Sequence, residues 1–238
     1  MVERQTVQNS GGASREAPET VRRMFEEIAG RYDLANRLLS GGMDHLWRRR
    51  AAELVAGWRP VRILDLATGS GDLALAVASA CPEAGVVGAD FCEAMLEHAR
   101  VKGLRETVVA DGCALPFAEA SFDVVTVGFG LRNMESWDRA LGEMRRVLRP
   151  GGRVLVLDFA MPPGALRWLY RPYLHHVLPR LAGWITGRPE AYRYLGESIE
   201  QFPSGARMQQ LLEHTGYGEV GWEFLTGGVV GLYWGRKV

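Results

Sequence analysis

The 238-residue chain is 47% hydrophobic and 24% charged, an ordinary globular composition, with 28 Lys and Arg balanced by 28 Asp and Glu. That balance gives no whole-protein attraction to nucleic acid, so no nucleic-acid partner is expected. No apolar stretch is long enough to suggest a spanning helix, and the opening "MVERQTVQNSGGASREAPET" lacks the apolar core of a signal peptide. The three cysteines, Cys81, Cys92 and Cys113, have no C-x-x-C spacing and read as reduced thiols of a cytoplasmic protein.

Residues 1–17 are polar and rich in Gly and Ser, and read as a mobile tail. From there Thr20 can cap a helix whose Val21, Met24, Phe25 and Ile28 share one face. A second helix over 44–57 presents Trp47, Ala51, Leu54 and Val55 in the same way, and the span 18–58 is expected to form a helical lid. Strands and helices then alternate: "VRILDL", a helix near 71–80, "GVVGAD", a helix near 92–102, "TVVAD", "FDVVTVGF", and a helix at 135–148 stopped by "RPGG" before "RVLVLDF". Such alternation predicts right-handed βαβ units and a parallel sheet covered on both faces. "EVGWEFL", Gly227-Gly228 and "VVGLYWG" read instead as a terminal antiparallel hairpin. The fold class is therefore α/β, Rossmann-like, with the core over 59–238 and a helical cap inserted at about 161–203. Pro172 and Pro179 are expected to break that cap into short helices.

Within "ILDLATGSGDLA", Gly69, Gly71 and Ala74 satisfy G-x-G-x-x-G/A, and Asp90 falls near where a dinucleotide fingerprint places its acid. An NAD(P)-dependent oxidoreductase is thus one reading. Against it, Asp65 closes the first strand where a pyrophosphate would be repelled, and the terminal hairpin departs from two mirrored halves. Three successive strands end near an acid: Asp65, Asp90 and Asp111. A ligand bearing an ammonium and a sulfonium suits them, which points to S-adenosylmethionine (SAM), released as S-adenosylhomocysteine. Gly69 and Gly71 would admit its methionine part closely, Asp90 would accept from both ribose hydroxyls, and Asp111 from the adenine amino group. No histidine pair has chelating spacing, so no metal is expected.

"GADFCEAMLEHAR", "ALGEMRRVLRPGGRVLVLDF", "YDLANRLLSGGMDHLWRR" (32–49), "FGLRNM" (129–134) and "HVLPRLAGWITGRPEAYRYLGESIEQFPS" together resemble the ubiquinone/menaquinone biosynthesis C-methyltransferases, over about residues 20–238. The resemblance implies a SAM-dependent C-methyltransferase that methylates a prenylated demethylmenaquinol ring beside a phenolic hydroxyl. It places the cofactor on Thr68, Asp90, Asp111 and Gly112, with Phe91 and Gly128 beside them. Gly128 stands where many members have serine, and Cys92 where serine is frequent, which leaves room for another phenolic, ubiquinone-precursor or polyketide-type substrate. Arg132 would stabilise phenolate and Asn133 would orient it, with Tyr32 reaching in from the lid as a third catalytic candidate. Asn36, Phe129, His176 and Tyr194 are expected to line the substrate pocket. The stretch 164–188, with four arginines and no acid between Asp158 and Glu190, reads as a pocket wall that also touches the membrane surface peripherally, at its inner face. The sequence leaves room for a homodimer, and for a silent SAM-binding module.

Overall fold

The computed structural model describes residues 40–180 and 189–238, with side chains omitted for 189–193. The expected tail, the first helix of the lid, Tyr32 and Asn36 lie outside the described residues.

The first described helix is α1 (Asp44–Gly57). The alternating region is β1 (Arg62–Leu66), α2 (Asp72–Ala80), β2 (Gly85–Asp90), α3 (Glu93–Val101), β3 (Glu106–Val109), β4 (Phe122–Gly128), α4 (Trp137–Val147) and β5 (Leu148–Phe159). The cap holds α5 (Leu166–Pro172) and α6 (Pro189–Gln201). It is followed by α7 (Ala206–His214), β6 (Tyr217–Leu225) and β7 (Val230–Lys237).

Seven strands form one sheet in the order β3-β2-β1-β4-β5-β7-β6. The pairs among β1 to β5 are parallel, whereas β7 runs antiparallel to both β5 and β6. The order reverses direction between β1 and β4, which makes the carboxyl ends of those two strands the switch point where ligands bind in such sheets.

Strand periodicity sorts the core into two layers. Leu64, Leu66, Val125, Val127, Val154 and Val156 face one side, packed with Leu141 and Met144 of α4 and Met208 and Leu212 of α7. Their sequence neighbours Ile63, Val124, Leu155 and Leu157 face the other side, against Leu73 and Val77 of α2. Trp47, Ala51 and Val55 of α1 join this second layer, so the second helix of the segment expected as a lid covers the sheet beside α2.

Three local expectations change. "RPGG" lies inside β5 as a bulge: Phe122 pairs with Leu148, then Val124 with Arg153, and Gly151 takes φ +78° to make the extra turn. The hairpin turn is a 3₁₀ segment over Thr226–Gly228 rather than a two-residue loop. Pro172 does not break the cap. α5 passes into a π turn over Tyr173–Val177, closed by the Leu178 amide donating to the Tyr173 carbonyl, a wider turn that accommodates the missing proline donor.

Candidate functional site

The site is assembled from the loops that follow β1, β2, β3 and β4. After β1 the chain turns through Ala67, Gly69 and Gly71, all at positive φ. The turn is needed because α2 starts against α3: a Cβ on Gly71 would stand 3.0 Å from the Ala99 Cβ. Asp65 anchors this loop from below. Its two carboxylate oxygens accept from the hydroxyls of Thr68 (2.7 Å) and Thr126 (2.6 Å), the latter its register partner on β4. Burial pushes the Asp65 pKa up to about 6, against the pull of those hydroxyls, the Ala74 amide and the nearby Arg48 charge.

Asp90 ends β2 and faces the same loop. Its carboxylate accepts from the Gly69 amide at 2.8 Å and the Cys92 amide at 2.9 Å, one on each oxygen. A carboxylate with two oxygens can accept further bonds beyond these amides. Burial raises its pKa, and the amides of Cys92, Gly69 and Phe91 oppose the rise. Asp111 lies two residues beyond β3, exposed, with one oxygen taking the Cys113 amide at 2.8 Å. A Cβ on Gly112 would meet the Met134 Sδ at 2.9 Å, so the end of that side chain would have to shift. At the end of β4, a Cβ on Gly128 would meet the Leu73 Cδ2 at 2.8 Å, so Leu73 fills the volume a serine would use.

The next turn carries the predicted catalytic pair. Arg132 and Asn133 lie in a 3₁₀ turn (Leu131–Asn133) directly past Phe129, itself at φ +58°. Arg132 is buried and donates to the Asp158 carboxylate at 2.6 Å and to the Phe129 carbonyl. Its guanidinium also sits 5.2 Å from the centre of the Phe159 ring, while its buried Nε has no hydrogen-bond partner among the described residues. Asp158 is fully buried, which raises its pKa, and Arg132 offsets part of that rise.

Phe129 packs at 4.8 Å from Phe159 and 6.1 Å from Trp47, an aromatic wall tied to the hairpin by the Trp47 indole donating to the Thr226 hydroxyl at 2.7 Å. Arg48 lies under this wall, 5.7 Å from the Phe129 ring centre, paired with Asp44 and 3.6 Å from Asp72.

The cap closes over the turn. Tyr194 of α6 donates to the Asn133 side-chain carbonyl at 3.5 Å, the outer limit of a hydrogen bond. Tyr170 stacks on Tyr173 at 6.0 Å, and its hydroxyl lies in the field of Arg132. Burial, with the neighbouring Tyr173, holds Tyr170 firmly protonated despite that charge. The structure does not bring His176 to this group: its side chain is exposed, and its neighbour His175 turns inward to Glu200 at 2.8 Å.

Asp65, Thr68, Gly69, Gly71, Asp90, Phe91, Gly112 and Gly128 therefore share the switch-point end of the sheet, with Asp111 at its edge and Phe129, Arg132, Asn133 and Tyr194 beside it. Sequence reasoning missed Asp158, Tyr170, Trp47 and Thr126. Only Thr126 had a signal, as a hydroxyl inside an otherwise apolar strand. Among the described residues no cluster of three His, Cys, Asp or Glu could hold a metal ion. The glycine turn and its ring of acids fit SAM: the turn admits close approach, and the acids meet positive charge and a ribose diol.

Comparison with known proteins agrees. Residues 13–237 match the model of the ubiE/COQ5 methyltransferase family. A Thermus thermophilus protein named demethylmenaquinone methyltransferase is 51% identical over 220 residues, covering 90% of this chain and 100% of its own. A Syntrophotalea carbinolica ubiquinone/menaquinone biosynthesis C-methyltransferase is 45% identical, covering 92% and 94%. Among solved structures, a SAM-dependent methyltransferase from Thermotoga maritima superposes with TM-score 0.63 at 17% identity, over 90% of this chain and 100% of that one. Human N-acetylserotonin methyltransferase in complex with SAM gives TM-score 0.63 at 16% identity, over 95% and 60%. At these identities the two structures speak for the fold.

Proposed function

The chain belongs to the ubiE/COQ5 methyltransferase family, and from that membership we propose that it transfers a methyl group from SAM to the ring carbon beside a phenolic hydroxyl of a prenylated demethylmenaquinol, in menaquinone biosynthesis. The relatives do not favour an oxidoreductase or a different phenolic substrate. The observation that carries the reading is the juxtaposition of an acid-ringed glycine turn with the Arg132-Asn133 turn at one end of the sheet.

The cofactor, when bound, supplies an electrophilic methyl group on sulfur. Asp65 and Asp90 give its seat negative character, and Asp90 holds the ribose. Arg132, whose buried Nε has no hydrogen-bond partner among the described residues, stabilises the phenolate oxygen whose electrons activate the adjacent carbon. Asn133 and Tyr194 orient the ring. Tyr170, protonated at neutral pH, serves as a donor and not as a base. Phe129, Phe159 and Trp47 keep water from the transfer line. Alignment of carbon, methyl and sulfur can remove on the order of 7–11 kcal/mol of the barrier.

Such a substrate lives in a bilayer, so the chain acts peripherally at the inner membrane face. A homodimer is compatible with the described surface. No helix among the described residues is long and apolar enough to cross a membrane. The test is incubation with SAM and a short-tailed, water-dispersible demethylmenaquinol. Stoichiometric S-adenosylhomocysteine and a quinol heavier by one methylene are expected. Tight S-adenosylhomocysteine binding with no methylated quinol would defeat the assignment.

A further inference from the structure

The cap has two apolar sides. Inward, Tyr170, Tyr173, Leu174 and Leu178 pack with Met161 and Ile199 against Phe159. Outward, the same short segment exposes Trp168 at 82% and Leu169 at 74%, with Leu166 and Val177 nearly half exposed. Two adjacent large apolar side chains this fully exposed mark an interaction surface. Arg167 and Arg180 are exposed beside them, Arg171 is paired with Glu200 at 2.8 Å, and no Asp or Glu occurs between Asp158 and Glu190 in the sequence. Since the whole chain has formal net charge zero, this is a local concentration of positive charge.

We infer that the outer face of α5, carrying Trp168 and Leu169 beside the exposed Arg167 and Arg180, docks onto an anionic lipid bilayer. The inference rests on the proposed function and deepens it by naming the surface through which the prenylated substrate is met. Charge decides between the occupants. An anionic headgroup layer complements the arginines while Trp168 and Leu169 enter the acyl boundary. A second copy docked through the same face by a two-fold axis would set arginine against arginine. The next residue after the exposed Leu169, Tyr170, turns inward to the cap cluster that packs against Phe159, on the side of the site.

Vesicle co-sedimentation of the full chain, without cofactor or quinol, tests the docking itself. Phosphatidylcholine vesicles are compared with vesicles containing phosphatidylglycerol, over a salt series. The wild type is expected to bind the anionic vesicles and to release with rising salt. Trp168→Ser/Leu169→Ser should reduce partitioning on the order of ten- to a hundredfold. Arg167→Glu should weaken binding to anionic vesicles only. On a long-tailed quinol embedded in vesicles, the Trp168/Leu169 double variant should lose turnover, while its kcat/KM on the short-tailed quinol stays at the wild-type value. Three outcomes overturn the inference: absence of wild-type vesicle binding, equal binding by the double variant, or a dimer in sedimentation equilibrium that the double variant dissociates. Protection of Trp168 from acrylamide quenching without vesicles would also overturn it, by showing the face covered by the chain itself. Lack of wild-type turnover on the short-tailed quinol would defeat the enzymatic reading alone, because vesicle binding is read without substrate.

Discussion

The Arg132 guanidinium donates to the Asp158 carboxylate at 2.6 Å, with Asp158 fully buried and Arg132 nearly so. The Arg132 amide points to the other carboxylate oxygen at 3.3 Å, so one acid fixes both the backbone and the side chain of the turn. Asp158 is a positioning residue. Arg132→Ala would leave a buried charge without its partner, which costs about 3–5 kcal/mol, and the melting temperature should fall accordingly. Arg132→Lys keeps the charge and much of the fold but loses the planar fork. Its kcat should drop at least about tenfold, with S-adenosylhomocysteine affinity unchanged in calorimetry. A lysine variant with wild-type kcat would reduce Arg132 to a loop anchor.

Asp65 is expected to couple pH to stability and to cofactor affinity, in opposite directions. Its folded-state pKa of about 6 is raised above the ordinary carboxylate value by burial. The fold thus favours the protonated form, and the stability this contributes is complete below the ordinary carboxylate pKa and lost as pH rises through 6. Between pH 7 and 5 the cofactor-free protein should gain on the order of 1 kcal/mol from this group. SAM affinity should fall over the same interval, as the negative charge under its cationic part is neutralised. Asp65→Asn should flatten both trends, raise the melting temperature at pH 7 and weaken SAM binding. Thermal melts and calorimetry across that interval read the two effects separately.

The sheet was legible because its strands are short apolar runs with local boundaries, and each helix has one apolar face. α1 (Asp44–Gly57) lies where the periodicity predicts a helix, around 44–57. Asp65 and Asp90 were legible as site residues because strand ends in a parallel sheet share one edge. Asp158 was not, because its role depends on which strand neighbours β4: the pairing of Gly128 with Leu157 brings it to Arg132 across 26 positions of sequence. Tyr170 and Trp47 were hidden for the same reason, since each reaches the site through tertiary packing of a helix whose pattern reads as ordinary amphipathicity. "RPGG" misled because glycine and proline mark turns and bulges alike, and only the strand register separates the two.

Gly128 is complemented by Leu73, and the pair should be tested together. Gly128→Ser would force a Cβ to within 2.8 Å of the Leu73 methyl, the movable end of a side chain. The expected cost is about 1–3 kcal/mol of overpacking, seen as a lower midpoint in urea. Adding Leu73→Val shortens the obstructing side chain and should recover most of that loss. If the serine variant melts like the wild type, Leu73 has a second rotamer and the packing argument fails.

Asp90 joins the glycine turn to the end of β2 through the Gly69 and Cys92 amides, so its removal acts on loop and ligand together. Asp90→Ala leaves the Gly69, Cys92 and Phe91 amides short of an acceptor, at about 1–3 kcal/mol for each that stays buried. It also removes the proposed acceptor for the ribose diol, and S-adenosylhomocysteine binding should weaken by well over tenfold. Asp90→Asn separates the two contributions. It keeps one carbonyl oxygen but turns the other into a donor that faces the Gly69 or the Cys92 amide, so the melting temperature should fall, by less than in the alanine variant. Affinity should still be reduced about tenfold, because the one remaining oxygen cannot take two hydroxyls. NADH should fail to bind the wild type at all, since Asp65 and Asp90 beside the glycine turn would repel a pyrophosphate. An Asn variant with wild-type affinity would mean that Asp90 serves the loop and leaves the ribose to another group.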